Sequence, residues 1–105
     1  MMSRTHGQPA VTTSMGKEIM VFVNRLKIQY SKLLQINYTT KIGGAVGNLN
    51  AHVFCYEDVD WEKLLNNFVF DSFGIQRNIY TTQIDNYDNL ATLFDCLKRI
   101  NSKCI

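Results

Sequence analysis

The stretch "KEIMVFVNRLKIQYSKLLQI", Lys17 to Ile36, places Ile19, Phe22, Val23, Leu26, Tyr30, Leu33 and Leu34 at steps of three and four residues, the period of one face of an α-helix. At 1.5 Å per residue such a helix is about 30 Å long. Thr12, Thr13 and Ser14 stand before it as N-cap candidates, and Glu18 falls in the first turn, where the helix dipole favours a carboxylate. Met20 and Val21 extend the apolar surface past a single stripe, so this helix is expected to meet neighbours on several sides.

From Asn37 to Tyr56 the helical period stops. Within "TKIGGAVGNLNAH" three glycines and two asparagines fall between Gly43 and His52, a density that disfavours a helix interior and predicts irregular backbone able to approach a neighbour or ligand closely. "DVDWEKLLNNFVFDSFG" then predicts a shorter helix, with Asp58 and Asp60 as cap candidates, Trp61, Leu64, Leu65, Phe68 and Val69 as its buried side, and Gly74 as the left-handed residue that ends it. Near the end of the chain Asp85 or Asp88 starts a helix whose apolar stripe is Leu90, Leu93, Phe94, Leu97 and Ile100. Lys98, Arg99 and Lys103 suit its last turns. Asn78 to Ile84 is a candidate extended piece, but alternation over several strands is missing. The pattern predicts an all-α fold of two long helices, one shorter helix and a glycine-rich connecting loop.

Composition narrows the class. With 46% hydrophobic and 19% charged residues among 105, the chain is too apolar for a disordered tail. The net charge of +2 comes from 11 basic and 9 acidic residues without a Lys or Arg run, which argues against a nucleic-acid partner. No stretch approaches the roughly 18 uninterrupted apolar residues of a membrane span, and the first 15 residues lack the apolar core of a signal peptide. A cytoplasmic protein with no membrane partner is therefore expected. Three cysteines without a CxxC pair argue against a disulfide framework and a zinc site. Cys96 and Cys104, eight residues apart on one helix, would lie roughly 12 Å from each other, too far to bridge.

Few short motifs carry chemistry on their own. In "SRTHGQPA", Ser3 to Ala10, His6 stands beside Thr5 and close to Gln8, both able to donate and accept hydrogen bonds, and Pro9 stiffens the exit from the turn. Together they can orient an imidazole for proton transfer near neutral pH; the plainer reading is a surface histidine. "GGAVG" lacks the GK[ST] ending of a P-loop and the spacing of a dinucleotide fingerprint. His52 and Cys55 sit three residues apart with no second ligand pair nearby, so no metal is expected. "TTQ", Thr81 to Gln83, reads in isolation as a turn and helix cap.

Taken in order, "SRTHGQPAVTTSMGKE", "KIGGAVGNLNAH", "DVDW" and "YTTQIDNYDNLATLFDCLKRIN" closely resemble the adenylosuccinate lyase family of the fumarase/aspartase superfamily, over essentially the whole chain. The resemblance implies that residues 1–105 are part of the central helical-bundle domain of a lyase of purine synthesis. Such an enzyme eliminates fumarate from adenylosuccinate to leave AMP, and from succinyl-aminoimidazole-carboxamide ribotide, with no cofactor. His6 falls on the family's catalytic histidine, the general acid toward the departing nitrogen, and Thr5 on a neighbour that touches the substrate. Gln83 falls on the family's substrate-binding glutamine, and Lys41 and Asn48 fall in the glycine-rich segment near the pocket. The chemistry agrees: an imidazole can release a proton near neutral pH, and neutral amides can orient a polyanion without adding charge.

The resemblance also implies a homotetramer whose long helices build a common bundle and whose active sites each draw on three subunits. The broad apolar surface of Lys17 to Ile36 is consistent with that. The helical domain expected before Ser3 and the mobile serine- and methionine-containing loop expected to supply the general base lie outside Met1–Ile105. The chain is therefore expected to be an internal fragment, inactive by itself. Two other readings make different demands. A non-catalytic helical interaction module needs neither His6 nor Gln83, and a nucleotide-binding module without chemistry keeps the glycine-rich contacts and dispenses with His6.

Overall fold

The structure is a computed structural model that describes residues 1–105. Its elements run β1 (Met2–Thr5), β2 (Gln8–Thr12), α1 (Met15–Leu34), β3 (Thr39–Thr40), α2 (Asn50–Cys55), α3 (Trp61–Phe73), β4 (Gln76–Arg77) and α4 (Asp88–Cys104). They form two units, one of Met1–Gln35 with Phe94–Ile105 and one of Ile36–Leu93.

In the first unit β1 and β2 make an antiparallel hairpin closed by the pair Thr5 and Gln8. The two residues between them, His6 and Gly7, both have positive φ, 50° and 75°, the signature of the tight turn whose twist matches that of the flanking strands. Glycine adopts that backbone freely, and histidine is among the residues that tolerate it. Helix α1 begins at its N-cap Ser14, whose Oγ accepts the Lys17 backbone N–H at 3.2 Å. Glu18 accepts hydrogen bonds from the Lys17 ammonium at 2.9 Å and the Thr13 hydroxyl at 3.1 Å. These donors, Lys17 foremost, hold its carboxyl below the ordinary glutamate range. The core of this unit is small: Cys96 of α4 is buried and its thiol donates to the Gln29 carbonyl of α1. Gln29 is itself buried. Most of the apolar face of α1 stays open, including Ile19, Phe22, Leu26 and Leu34.

The second unit is organised around α3. Asp60 caps it by accepting the Lys63 N–H at 3.0 Å, and Gly74 ends it at φ +66° with its N–H on the Phe70 carbonyl at 2.8 Å. Leu65 and Val69 on its inner face are buried, as is Leu49 at the entry to α2. Strands β3 and β4 pair in parallel, Thr39 with Gln76 and Thr40 with Arg77. Two backbone bonds extend that ladder: Gln76 N–H to the Tyr38 carbonyl at 3.2 Å and Asn78 N–H to the Thr40 carbonyl at 2.8 Å. Beyond β4 a loop over 78–87 leads to α4. Asn78 fixes its start, donating to Thr39 Oγ1 at 3.1 Å and Asp85 Oδ1 at 2.7 Å, and Asn89 donates to the same threonine oxygen at 3.1 Å.

The expected helices are present, α1 and α3 with the caps Ser14, Asp60 and Gly74 and α4 starting at Asp88. The strictly all-α expectation is corrected: two small two-stranded sheets stand beside the helices. The glycine-rich connection, read as irregular throughout, also contains the six-residue helix α2, entered through Leu49 at φ +58° with no side-chain cap. Helix α1 lies two residues upstream of its expected span, because the cap is made at Ser14 and the chain leaves the helix at Gln35.

Candidate functional site

The residues singled out in the sequence fall into both units. His6 and Thr5 belong to the hairpin of the first, with His6 at its tip and exposed. The imidazole has no hydrogen-bond partner within the chain. Thr5 and Gln8 face each other as the closing pair beneath it, so these flanking residues fix the turn that presents the ring. The hydroxyl of Ser3 adds to the hairpin by donating a hydrogen bond to the Val11 carbonyl.

Lys41, Asn48 and Gln83 belong to the second unit. There the glycine-rich loop and the loop after β4 border a cavity of about 500 Å³. Gly47, Asn48 and Leu49 line it from one loop, Tyr80, Thr81 and Thr82 from the other, and Glu62 of α3 and Arg77 of β4 complete the polar wall. Asn48 is exposed, and its Oδ1 accepts the Asn50 backbone N–H at 3.4 Å. Gln83 follows the lining pair Thr81–Thr82 directly and is exposed. Lys41 does not line this cavity: its ammonium donates to the Gly44 carbonyl at 2.9 Å and staples the loop to itself.

One residue with no sequence signal proves central to this geometry. Arg77 is only 8% exposed, yet no carboxylate pairs with it; the chain's one ion pair is Lys17 with Glu18. Instead its Nε donates to Asn66 Oδ1 and its Nη1 to the Ile42 carbonyl, both at 2.8 Å. A rigid guanidinium fork can serve two acceptors in different directions, so this side chain ties β4 to α3 and to the start of the glycine-rich loop. A single arginine between Gln76 and Asn78 offers no periodicity or motif by which to find it. His52, by contrast, is engaged in packing, its ring set edge-on to Trp61 with centroids 5.1 Å apart.

Comparison with known proteins gives these loops a context. A family model described as Lyase matches residues 1–105. Among curated proteins, the chain is 49% identical over 102 residues to adenylosuccinate lyase of Escherichia coli strain K12, covering 97% of this chain and 22% of that protein. It is 50% identical over 102 residues to the adenylosuccinate lyase of Legionella pneumophila strain Corby, and 49% over 104 to that of Dictyostelium discoideum, with the same coverage. The chain thus spans about a fifth of the length of these relatives. Matched along its whole length by that family model and at this level of identity by adenylosuccinate lyases, the chain belongs to the lyase family.

Proposed function

We propose that this chain is a segment of an adenylosuccinate lyase, an enzyme that eliminates fumarate from adenylosuccinate to leave AMP and acts likewise on succinyl-aminoimidazole-carboxamide ribotide. The observation that carries the reading is the identity of about half, spread over 97% of the chain, to proteins of that name. In such an elimination a base removes a proton from the carbon beside the C–N bond. The freed electron pair becomes the double bond of fumarate, and the C–N pair passes to nitrogen, which must take up a proton. His6 is the donor of that proton. Its place at the tip of a closed two-residue turn supports the role, because a proton donor needs a fixed backbone and an open face toward its substrate.

Thr5, next to His6, contacts the same substrate. Asn48 and Gln83 offer neutral amides to the substrate's phosphate and carboxylates; the cavity that Asn48 lines supports its part, and Gln83 stands next to the lining residue Thr82 without lining the cavity itself. Lys41 holds the glycine-rich loop by its bond to Gly44 and contributes to binding through that loop. The base comes from another part of the enzyme. The enzyme is a cytoplasmic homotetramer with active sites shared between subunits, a reading supported by the open apolar face of α1, since exposed apolar surface of this extent marks an interface.

The test is to purify the full-length protein that carries this segment and follow fumarate from each of the two substrates by ultraviolet absorbance. Release of fumarate with stoichiometric AMP from adenylosuccinate supports the proposal. A folded protein that binds the nucleotide without turnover favours the nucleotide-binding module, and one that neither binds nor reacts favours the interaction module.

A further inference from the structure

We propose that Gly47 is a positioning residue for Gln83: its missing side chain makes the seat on which the Thr81–Thr82 peptide rests, and the seat sets where the glutamine stands. The inference rests on the reading of Gln83 as a substrate contact. Its physical basis is a comparison among the glycines. Gly7, Gly44, Gly47 and Gly74 all have positive φ, between 66° and 83°. A Cβ added at Gly7 or Gly74 would meet open space, and at Gly44 only the His52 ring at 3.5 Å. At Gly47 it would overlap the Thr81 carbonyl oxygen and stand 2.8 Å from both the Thr81 carbonyl carbon and the Thr82 oxygen. Those atoms are backbone, which cannot swing aside as a flexible side chain can.

Two further observations make this contact the determinant of the loop. No hydrogen bond within the chain holds Thr81 to Ile84; the ties of the 78–87 loop are at Asn78 and at Asn86, which donates to the Tyr80 carbonyl at 3.2 Å. The glycine-rich loop, in contrast, is braced behind Gly47. A Cβ on buried Gly43 would stand 3.1 Å from the Gly47 Cα, the Gly43 carbonyl accepts the Leu49 N–H at 3.1 Å, and Lys41 holds the Gly44 carbonyl. Gly43, Gly47 and the Thr81 peptide thus form a stack in which the stiff member locates the free one. A displacement of about 1 Å at a substrate-orienting group can cost as much as about a hundredfold in rate constant, so the stack has leverage on Gln83.

The test is kinetic, in the full-length lyase with adenylosuccinate as substrate, comparing Gly47→Ala, Gln83→Ala, their double mutant and Gly74→Ala. Gly74→Ala imposes a similar left-handed backbone cost with no atom to strike. The expected result is a rise in KM of about tenfold or more for Gly47→Ala with kcat changed less, about the same for Gln83→Ala, no further rise beyond about threefold in the double mutant, and a far smaller rise for Gly74→Ala. Should Gly47→Ala fail to fold, Gly43→Ala, which has no positive φ and shifts Gly47 by only tenths of an ångström, carries the test: KM rises in the wild-type background and not in Gln83→Ala. Multiplicative effects of the Gly47 and Gln83 substitutions, or equal KM changes in Gly47→Ala and Gly74→Ala, overturn the proposal. A Gln83→Ala enzyme with unaltered KM overturns the substrate-contact reading and this proposal with it, whereas a raised KM in Gln83→Ala beside an unaltered one in Gly43→Ala and Gly47→Ala overturns the positioning role alone.

Discussion

Replacing Arg77 by methionine keeps most of the apolar stem and removes the guanidinium, which leaves Asn66 Oδ1 and the Ile42 carbonyl without the donors now 2.8 Å away. Hydrogen bonds to a charged group contribute about 1.5 to 3 kcal/mol each. Part of that pair of contributions is offset because the charged group of a residue only 8% exposed no longer has to be stripped of water. The expected net loss is about 2 to 4 kcal/mol, felt locally where Arg77 joins β4, α3 and the glycine-rich loop. Hydrogen exchange of the full-length protein reads it directly, through the amides of Asn78, bonded to the Thr40 carbonyl, and Leu49, bonded to the Gly43 carbonyl. At about 1.4 kcal/mol per factor of ten, these amides should exchange roughly 30- to 1,000-fold faster in Arg77→Met, with α1 amides unchanged. Arg77→Lys should recover only part of the protection, because one ammonium on a flexible stem cannot serve both acceptors as a fork does. Exchange within about threefold of wild type for Arg77→Met would refute the reasoning, as would full protection in Arg77→Lys.

If Gln83 orients the substrate as proposed, Gln83→Ala should weaken binding more than it slows turnover, since an orienting amide acts about equally in ground and transition states; Gln83→Glu should then be worse, because it would place a negative charge beside phosphate and carboxylates. Steady-state KM values for adenylosuccinate check both, and equal kinetics for the two variants would mean that Gln83 faces away from the ligand. Glu18→Gln should lower the thermal midpoint at pH 7 and converge with wild type in acid. The Glu18 carboxyl is held low in the folded state, so its contribution is present above the ordinary glutamate range and lost as pH falls through the lowered folded value. A gap between the two proteins that persists undiminished in strong acid would contradict that linkage.

Local chemistry made the helices legible. Ser14, Asp60 and Gly74 cap where capping residues are expected, and the apolar spacing of α1, α3 and α4 follows the helical period. The sheets were not legible, for two different reasons. The strands of the hairpin are short and mostly exposed, and His-Gly is not among the common sequence signals for its turn. Strands β3 and β4 are two residues each and join segments far apart in the chain, a relation that no window of sequence can contain. Helix α2 escaped because Leu49 enters it through a left-handed backbone without a cap.

The candidate site divides in the same way. His6, Thr5, Gln83, Lys41 and Asn48 were marked by resemblance to a family, and the residues themselves supplied only compatible chemistry. Lys41 illustrates the gap: the sequence offers a cation near a presumed pocket, and the fold gives that cation a carbonyl of its own loop. Arg77 and the Gly47–Thr81 contact emerge only when α3, β4 and two loops are brought together. Their importance lies in long-range geometry, which leaves no periodic trace.

The role proposed for His6 is delivery of the proton that releases fumarate. Its most direct measurement is the steady-state release of fumarate from adenylosuccinate by the full-length lyase and by its His6→Gln variant, with oligomeric state and nucleotide binding recorded for both. His6→Gln is expected to assemble as wild type does, to bind substrate in part, and to lose at least about a hundredfold in kcat, the usual scale for a positioned proton donor. A His6→Gln enzyme that keeps most of its turnover would contradict it.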